Sequence, residues 1–278
     1  MISTGGLNLN VREAGPPDGP LLILLHGFPE SSRAWRKILR PLGERGFHVI
    51  APDMRGYGSS DVPEGIDAYC LDLLVADVIG LADASGAPTF TLAGHDWGGI
   101  VAWAVAARHS DRVHRLVILN APHPDTMRQE MRRHPAQLLR SWYAGFFQIP
   151  RLPERLLSAF GYRALRRSLL QTSRPGSFDP GEIAAYVEEW ARPGRLTAMV
   201  NYYRALRIPR APLGRITVPT LILWGMKDRF LGAHLATAAA GMCDDARIVR
   251  FAQDTHWLQH ENPRQVVVEI AGFAQKAD

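Results

Sequence analysis

Cysteine is scarce in this chain: Cys70 and Cys243 are the only two in 278 residues, far apart and without metal-type spacing. A disulfide framework is excluded, and a reducing, cytoplasmic setting is the natural expectation. Long apolar runs are missing too. Leu21 to Leu25, the most apolar run near the N-terminus, is far too short to cross a bilayer. Met1 to Pro20 lacks the basic patch and apolar stretch of a signal peptide. No membrane partner is expected. Acidic residues are sparse in one region, where ten Arg between Arg128 and Arg174 face only Glu130 and Glu154. Nucleic-acid binding needs a basic stripe or a recognised motif, and neither is present. The arginines read as a solvated helical face, with an acidic partner or subunit as the open alternative.

What remains is ordinary globular material, with 46% hydrophobic and 21% charged residues and a net charge of +5. A sizeable buried core follows. Short apolar runs bounded by Gly or Pro read as buried strands: Leu21 to Leu25, Val49 to Ala51, Thr89 to Ala93 and Val113 to Leu119. Amphipathic segments alternate with them, at about 31–42, 68–85 and 97–108. This alternation predicts a mostly parallel sheet flanked by helices, an α/β fold. Ile2 to Thr4, Gly5-Gly6 and Leu7 to Glu13 predict an antiparallel hairpin before it.

After Leu119, the sixth strand in this count, the alternation stops. An Arg-, Leu- and Tyr-rich stretch without strand signals follows, punctuated by Pro150, Pro153, Pro175 and Pro180. Strand patterns return at Pro219 to Trp224 and Ala246 to Phe251. Asn262 and Pro263 predict the cap and first turn of a last helix. The expected organisation is an α/β core over 1–123 and 214–278, with a helical lid inserted at 124–213.

Gly94-His95-Asp96-Trp97-Gly98-Gly99 stands where a strand ends and a helix begins. G-x-nucleophile-x-G marks a sharp turn that holds its central side chain above the sheet. Small neighbours are needed because that backbone is strained and approaches its surroundings closely. An aspartate at the centre displaces a leaving group from saturated carbon and becomes an ester. Water must then attack a carbonyl belonging to Asp96 itself, so an oxyanion hole must serve that oxygen. Its backbone donors are expected from Trp97 and from Phe28, in the loop His26-Gly27-Phe28-Pro29.

An acid and a histidine follow in the order this turn requires. Asp228 comes after the strand ending at Trp224, and His256 after the strand ending near Phe251. His256 is the expected base for water, with Asp228 orienting its imidazole. His260 is four residues beyond His256, but without a third ligand the pair does not make a zinc motif, and no metal is expected. His26 and His95 are read as loop-orienting residues.

These residues resemble the aspartate-nucleophile branch of the α/β-hydrolases, which contains epoxide hydrolases and haloalkane dehalogenases. The resemblance runs along nearly the whole chain and includes Asp53-Met54-Arg55-Gly56-Tyr57-Gly58-Ser59, used in the family as a structural loop. The two activities differ at the leaving group. An epoxide leaves as a basic alkoxide, so its opening gains from a proton donor, and a tyrosine is protonated at neutral pH. Epoxide hydrolases carry two such tyrosines in the lid. Ser141-Trp142-Tyr143-Ala144-Gly145-Phe146-Phe147-Gln148 and Asn201-Tyr202-Tyr203-Arg204 resemble the segments that hold them. The resemblance maps the donors onto Tyr143 and Tyr203, with Tyr202 as the non-catalytic neighbour, although spacing does not separate that pair.

Dehalogenases often add a halide donor at the position of Phe28, which has no side-chain donor. Fluoroacetate dehalogenases carry Arg where Trp97 stands. Thr255 departs from the Gly common in relatives before the histidine. The resemblance therefore implies an epoxide hydrolase that needs no cofactor and takes a small-molecule epoxide. Phe28, Trp97, Trp142, Phe146, Phe147 and Trp257 are the expected pocket lining. The alternatives are a haloalkane or haloacid dehalogenase, or a non-catalytic small-molecule receptor. The sequence leaves monomer or homodimer undetermined.

Overall fold

The computed structural model describes residues 1–275. Among these residues nine strands run in chain order: β1 (Ile2–Thr4), β2 (Leu7–Leu9), β3 (Val11–Ala14), β4 (Leu21–Leu25), β5 (His48–Pro52), β6 (Phe90–His95), β7 (Val113–Leu119), β8 (Thr220–Gly225) and β9 (Ala246–Phe251). The helices of the first part are α1 (Leu39–Gly43), α2 (Leu71–Ala84) and α3 (Trp97–Arg108). Six more lie between β7 and β8: α4 (Met127–Arg133), α5 (Pro135–Arg140), α6 (Trp142–Phe146), α7 (Leu152–Thr172), α8 (Pro180–Trp190) and α9 (Arg195–Arg204). The last three are α10 (His234–Ala240), α11 (Leu258–Glu261) and α12 (Pro263–Ala274).

Seven strands form the main sheet in the order β3-β5-β4-β6-β7-β8-β9. β3 is antiparallel to β5, and all the other pairs are parallel. The hairpin forms between β1 and β2, with Gly5 and Gly6 at positive φ in its turn. The expected arm from Leu7 to Glu13 breaks at Asn10, which makes Val113–Leu119 the seventh strand rather than the sixth. Asn10 donates its backbone N–H to Ser60 Oγ and its amide to Asp53 Oδ2, turning the chain from β1 toward β5. The segment expected as one helix over 31–42 is a 3-10 turn (Ser32–Trp35) and the short α1. Pro41 explains the split: it has no N–H to continue a helical ladder and is tolerated only in the first turn.

The parallel strands are apolar on both faces because both faces are covered. Leu21, Ile23 and Leu25 join one core with α2, α3 and the inserted helices, while Leu22 and Leu24 join another with Trp35, Leu42 and α12. In the inserted segment, proline opens helices more than it separates them: Pro135, Pro153 and Pro180 sit in first turns. Asp179 caps α8 by accepting from Glu182 N–H at 2.8 Å. α7 is broken at Ala159–Tyr162, with Phe160, Gly161 and Tyr162 in left-handed conformations. All ten arginines from Arg128 to Arg174 are exposed, as a solvated face requires. Asn262 stands at the start of α12, but its side chain donates to Asp254 Oδ2 at 3.2 Å instead of capping the helix. Among the described residues, no helix is long and apolar enough to cross a membrane.

Strand order reverses beside β4: β5 lies on one side of it and β6 on the other. At such a switch point the loops leaving the carboxyl ends diverge and open a crevice. The loops after β4, β6, β7, β8 and β9 carry Phe28, Asp96, Asn120, Asp228 and His256, so the sheet gathers all five at one edge.

Candidate active site

Asp96 joins β6 to α3 with φ 50° and ψ −118°, a conformation L-residues rarely adopt. Glycines make the turn possible. A Cβ on Gly98 would strike the Leu25 carbonyl, and one on Gly99 would strike Ala121. The strain is repaid in position: Phe28 donates its backbone N–H to Asp96 Oδ1 at 2.9 Å, and Trp97 N–H also bonds the carboxylate. Both expected oxyanion donors therefore already face the carboxylate.

Asp96 Oδ2 lies 3.6 Å from His256 Nε2. The other ring nitrogen, Nδ1, bonds Asp228 Oδ2 at 2.7 Å. Asp228 is held on all sides, accepting from Phe230 N–H, Leu231 N–H and Asn120 Nδ2 at 2.7, 2.9 and 2.7 Å. Burial opposes charge on His256, but Asp228 and then Asp96 outweigh it and push the imidazole up to about 9. Burial raises the Asp96 carboxyl, against the His256 charge and the two N–H donors. Asp228 is lowered despite burial, by the His256 charge and its hydrogen bonds. At neutral pH the proton therefore sits on His256 between two carboxylates.

Tyr143, from α6, and Tyr203, from α9, pack edge to face with ring centroids 5.8 Å apart. Burial, then the charge of Asp96, raises both phenols well above their ordinary range, so both are protonated donors. Tyr202, which spacing could not separate from Tyr203, points elsewhere: its hydroxyl donates to the Arg55 carbonyl at 2.9 Å.

Two cavities meet at Asp96, Tyr143 and Tyr203. One, of about 450 Å³, runs along Trp97, Ile100, Met127 and Leu138. The other, of about 640 Å³, holds Phe28, Trp142, Phe146, Phe147, His256 and Trp257. All six residues expected to line a pocket do so, though Trp142 is mostly exposed.

His26 and His95 orient loops. His26 Nε2 accepts Met54 N–H at 3.0 Å, so its Nδ1 donates to the Gly27 carbonyl. His95 Nε2 donates to the His256 carbonyl at 2.9 Å and its Nδ1 accepts from Gln259. Burial pushes His95 down to about 3 and keeps it neutral. His260 turns away from His256 and bonds buried Glu30 at 2.5 Å. The Asp53 loop is structural: its carboxylate accepts from Ser32 N–H, Ser59 N–H and Asn10. Thr255 is bound through both N–H and Oγ1 to Glu261.

Sequence reasoning missed Asn120, Glu30 and Gln259. Asn120 had a signal, since it is a polar residue directly ending an apolar strand, at φ 39°. Its Oδ1 accepts Gly225 N–H while its Nδ2 holds Asp228, which fixes the β7 and β8 ends together.

A family model described as alpha/beta hydrolase fold matches residues 20–263. The AB hydrolase superfamily protein YfhM of Bacillus subtilis (strain 168) is 40% identical over 275 residues, covering 97% of this chain and 96% of that one. Epoxide hydrolase 4 of Mus musculus is 37% identical over 270 residues, 94% of this chain and 75% of that protein. A solved structure described as one of novel epoxide hydrolases from metagenomes of hot environments matches with TM-score 0.88 and 35% identity, covering 99% of this chain and 98% of its own. Fold, turn and relatives agree: the chain belongs to the alpha/beta-hydrolase fold family and is an epoxide hydrolase-like hydrolase.

Proposed function

We propose that this protein opens an epoxide to a vicinal diol through an ester on Asp96. The observation that carries the reading is the convergence of Asp96, Tyr143 and Tyr203 on the same apolar cavities, with His256 3.6 Å behind the nucleophile. Relatives named epoxide hydrolases support it along most of the chain. The helices over 124–213 act as a lid that supplies the two tyrosines and excludes water from the pocket.

In the first step Asp96 Oδ2 attacks an epoxide carbon, and the C–O bond to the ring oxygen breaks. Tyr143 and Tyr203 hydrogen-bond that oxygen and give it a proton. The His256 imidazolium restores this proton, which leaves the imidazole neutral. The ester carries no charge, so His256 loses the Asp96 contribution that had raised it and becomes a competent base. It then takes a proton from water, whose oxygen adds to the ester carbonyl. Phe28 N–H and Trp97 N–H stabilise the resulting oxyanion. Collapse releases the diol, the Asp96 carboxylate and the imidazolium, so the proton count closes without a metal or organic cofactor.

The test is diol formation from a panel of aryl and alkyl epoxides, wild type beside Asp96→Ala. Turnover by the wild type alone supports the reading, while turnover by Asp96→Ala sinks the covalent step. His256→Gln should accumulate an adduct of substrate mass on the protein. Halide release from haloalkanes, without diol from any epoxide, would replace the reading by a dehalogenase. Tight binding with no product would replace it by a receptor.

A further inference from the structure

Away from Asp96, three metal-ligating side chains converge where the inserted helices meet the sheet region. Glu130 lies on α4, and His134 is the residue that ends this helix, its backbone N–H donating to the Glu130 carbonyl at 2.8 Å. His234 opens α10, on the other side of the junction. Glu130 Oε2 lies 3.4 Å from His134 Nε2 and 3.9 Å from His234 Nε2. The three ligand atoms all fall within 4.8 Å of one another.

Simple ion pairing explains this cluster poorly. The two imidazoles are 3.9 Å apart between ring centroids, where two positive charges repel. Glu130 is a buried carboxylate, and Arg133, 3.5 Å from its Oε1 and largely exposed, is the guanidinium paired with it. His234 Nε2 is buried and has no hydrogen-bond partner among the described residues. Its ring is set by its neighbours, since a Cβ on Gly232 would come within 2.6 Å of Nδ1.

We propose that Glu130, His134 and His234 bind one divalent transition-metal ion of the zinc class and so clip α4 to α10. Two imidazoles and a carboxylate are a donor set such ions prefer. Tetrahedral ligation at about 2.0–2.2 Å places ligand atoms roughly 3.4 Å apart, which Glu130 and His134 meet already and His234 Nε2, 3.9 Å from Glu130 Oε2, meets by closing toward it. The fourth position is left to water. The clip bears on the neighbouring loop, because Gln137, on α5, accepts from Gly232 N–H and donates to the Phe230 carbonyl.

The experiment is a titration of the full chain, stripped with chelator, with cobalt(II) and then zinc. One equivalent of cobalt should give a tetrahedral absorption spectrum that zinc abolishes, and zinc should raise the thermal midpoint. His234→Ala and Glu130→Gln should each weaken zinc binding by at least about tenfold. Magnesium, which demands oxygen ligands, should not compete. Absence of binding at about 0.1 mM zinc overturns the proposal, and so does undiminished binding in folded His234→Ala. Imidazole nitrogen spectra of the wild type give an answer that does not depend on variants folding. Zinc should shift two histidines, and perturbation of histidines other than His134 and His234 overturns the proposal.

Discussion

Phe28 places its backbone N–H 2.9 Å from Oδ1 of Asp96, across the space that the missing side chain of Gly27 leaves open. A Cβ on Gly27 would lie 2.6 Å from that same Oδ1 and closer still to the Asp96 Cβ. Gly27→Ala must therefore push the two loops apart. A rate loss of about 10² to 10³ is expected, the usual cost of one oxyanion donor. Steady-state diol formation, with circular dichroism to confirm folding, checks it, and an unimpaired rate would show that this donor is not needed.

The two tyrosines should matter in one step only. Tyr143→Phe and Tyr203→Phe are each expected to slow epoxide opening by about 10² to 10⁴, the range of general-acid help. Rapid-quench measurement of ester formation should carry the whole loss, with ester hydrolysis unchanged. Tyr202→Phe is the control. It removes a hydrogen bond to the Arg55 carbonyl, so it should cost about 0.5–1.5 kcal/mol of stability and leave the opening rate alone. Equal losses for Tyr202 and Tyr203 would refute the assignment.

The pH behaviour should split between the two steps. In the free protein His256 is pushed up to about 9, chiefly because Asp228 and Asp96 outweigh its burial. Opening needs the imidazolium, so its rate should fall as pH rises through about 9. Ester hydrolysis needs the neutral ring and should fail as pH drops through a lower value, since the ester has lost the Asp96 charge. Stability moves with the first group. A raised imidazole stabilises the fold fully below 6.5, and this contribution, about 3 kcal/mol, is lost as pH climbs toward 9. Urea midpoints and single-turnover phases across this window test both statements.

Glu30 should reveal itself at the acid end. Its carboxylate is buried, yet the charge and hydrogen bond of His260 hold it down at about 2. It also accepts from Tyr186 on α8 and from Gln259 on α11, so it ties three segments together. A depressed carboxyl stabilises the fold above its ordinary 4.5, and this contribution is lost as pH falls toward 2. The loss is about 3 kcal/mol, and in Glu30→Gln that pH-dependent part should vanish. Chemical unfolding at pH 7 and at steps down to about pH 2 makes the comparison, with roughly half of the loss expected by pH 3.5. An identical acid slope in wild type and variant would refute it.

Much of this site was legible because its signals are local. Strand, glycine turn and helix around Asp96 follow from short-range patterning, and Asp96, Asp228 and His256 each follow the end of a strand, β6, β8 and β9. Strand limits moved by a residue or two, since pairing with neighbours decides where a ladder stops: β6 runs on to His95 because it pairs with Leu119 on β7. The helix expected over 31–42 failed for a local reason as well, in that amphipathic spacing was read past Pro41.

The sequence alone determined the alternation that makes a parallel sheet, the strained turn at Asp96 and the presence of an acid and a histidine after later strands. These depend on hydrophobic period, glycine permissiveness and chain order, all carried by neighbouring residues. Only the tertiary structure gave the Tyr202 hydroxyl its partner at the Arg55 carbonyl, gave Asp228 its partner Asn120, and brought Glu30 to His260 and Glu130 to His234. Those choices rest on side chains from distant segments meeting at hydrogen-bond distances, which no local pattern encodes.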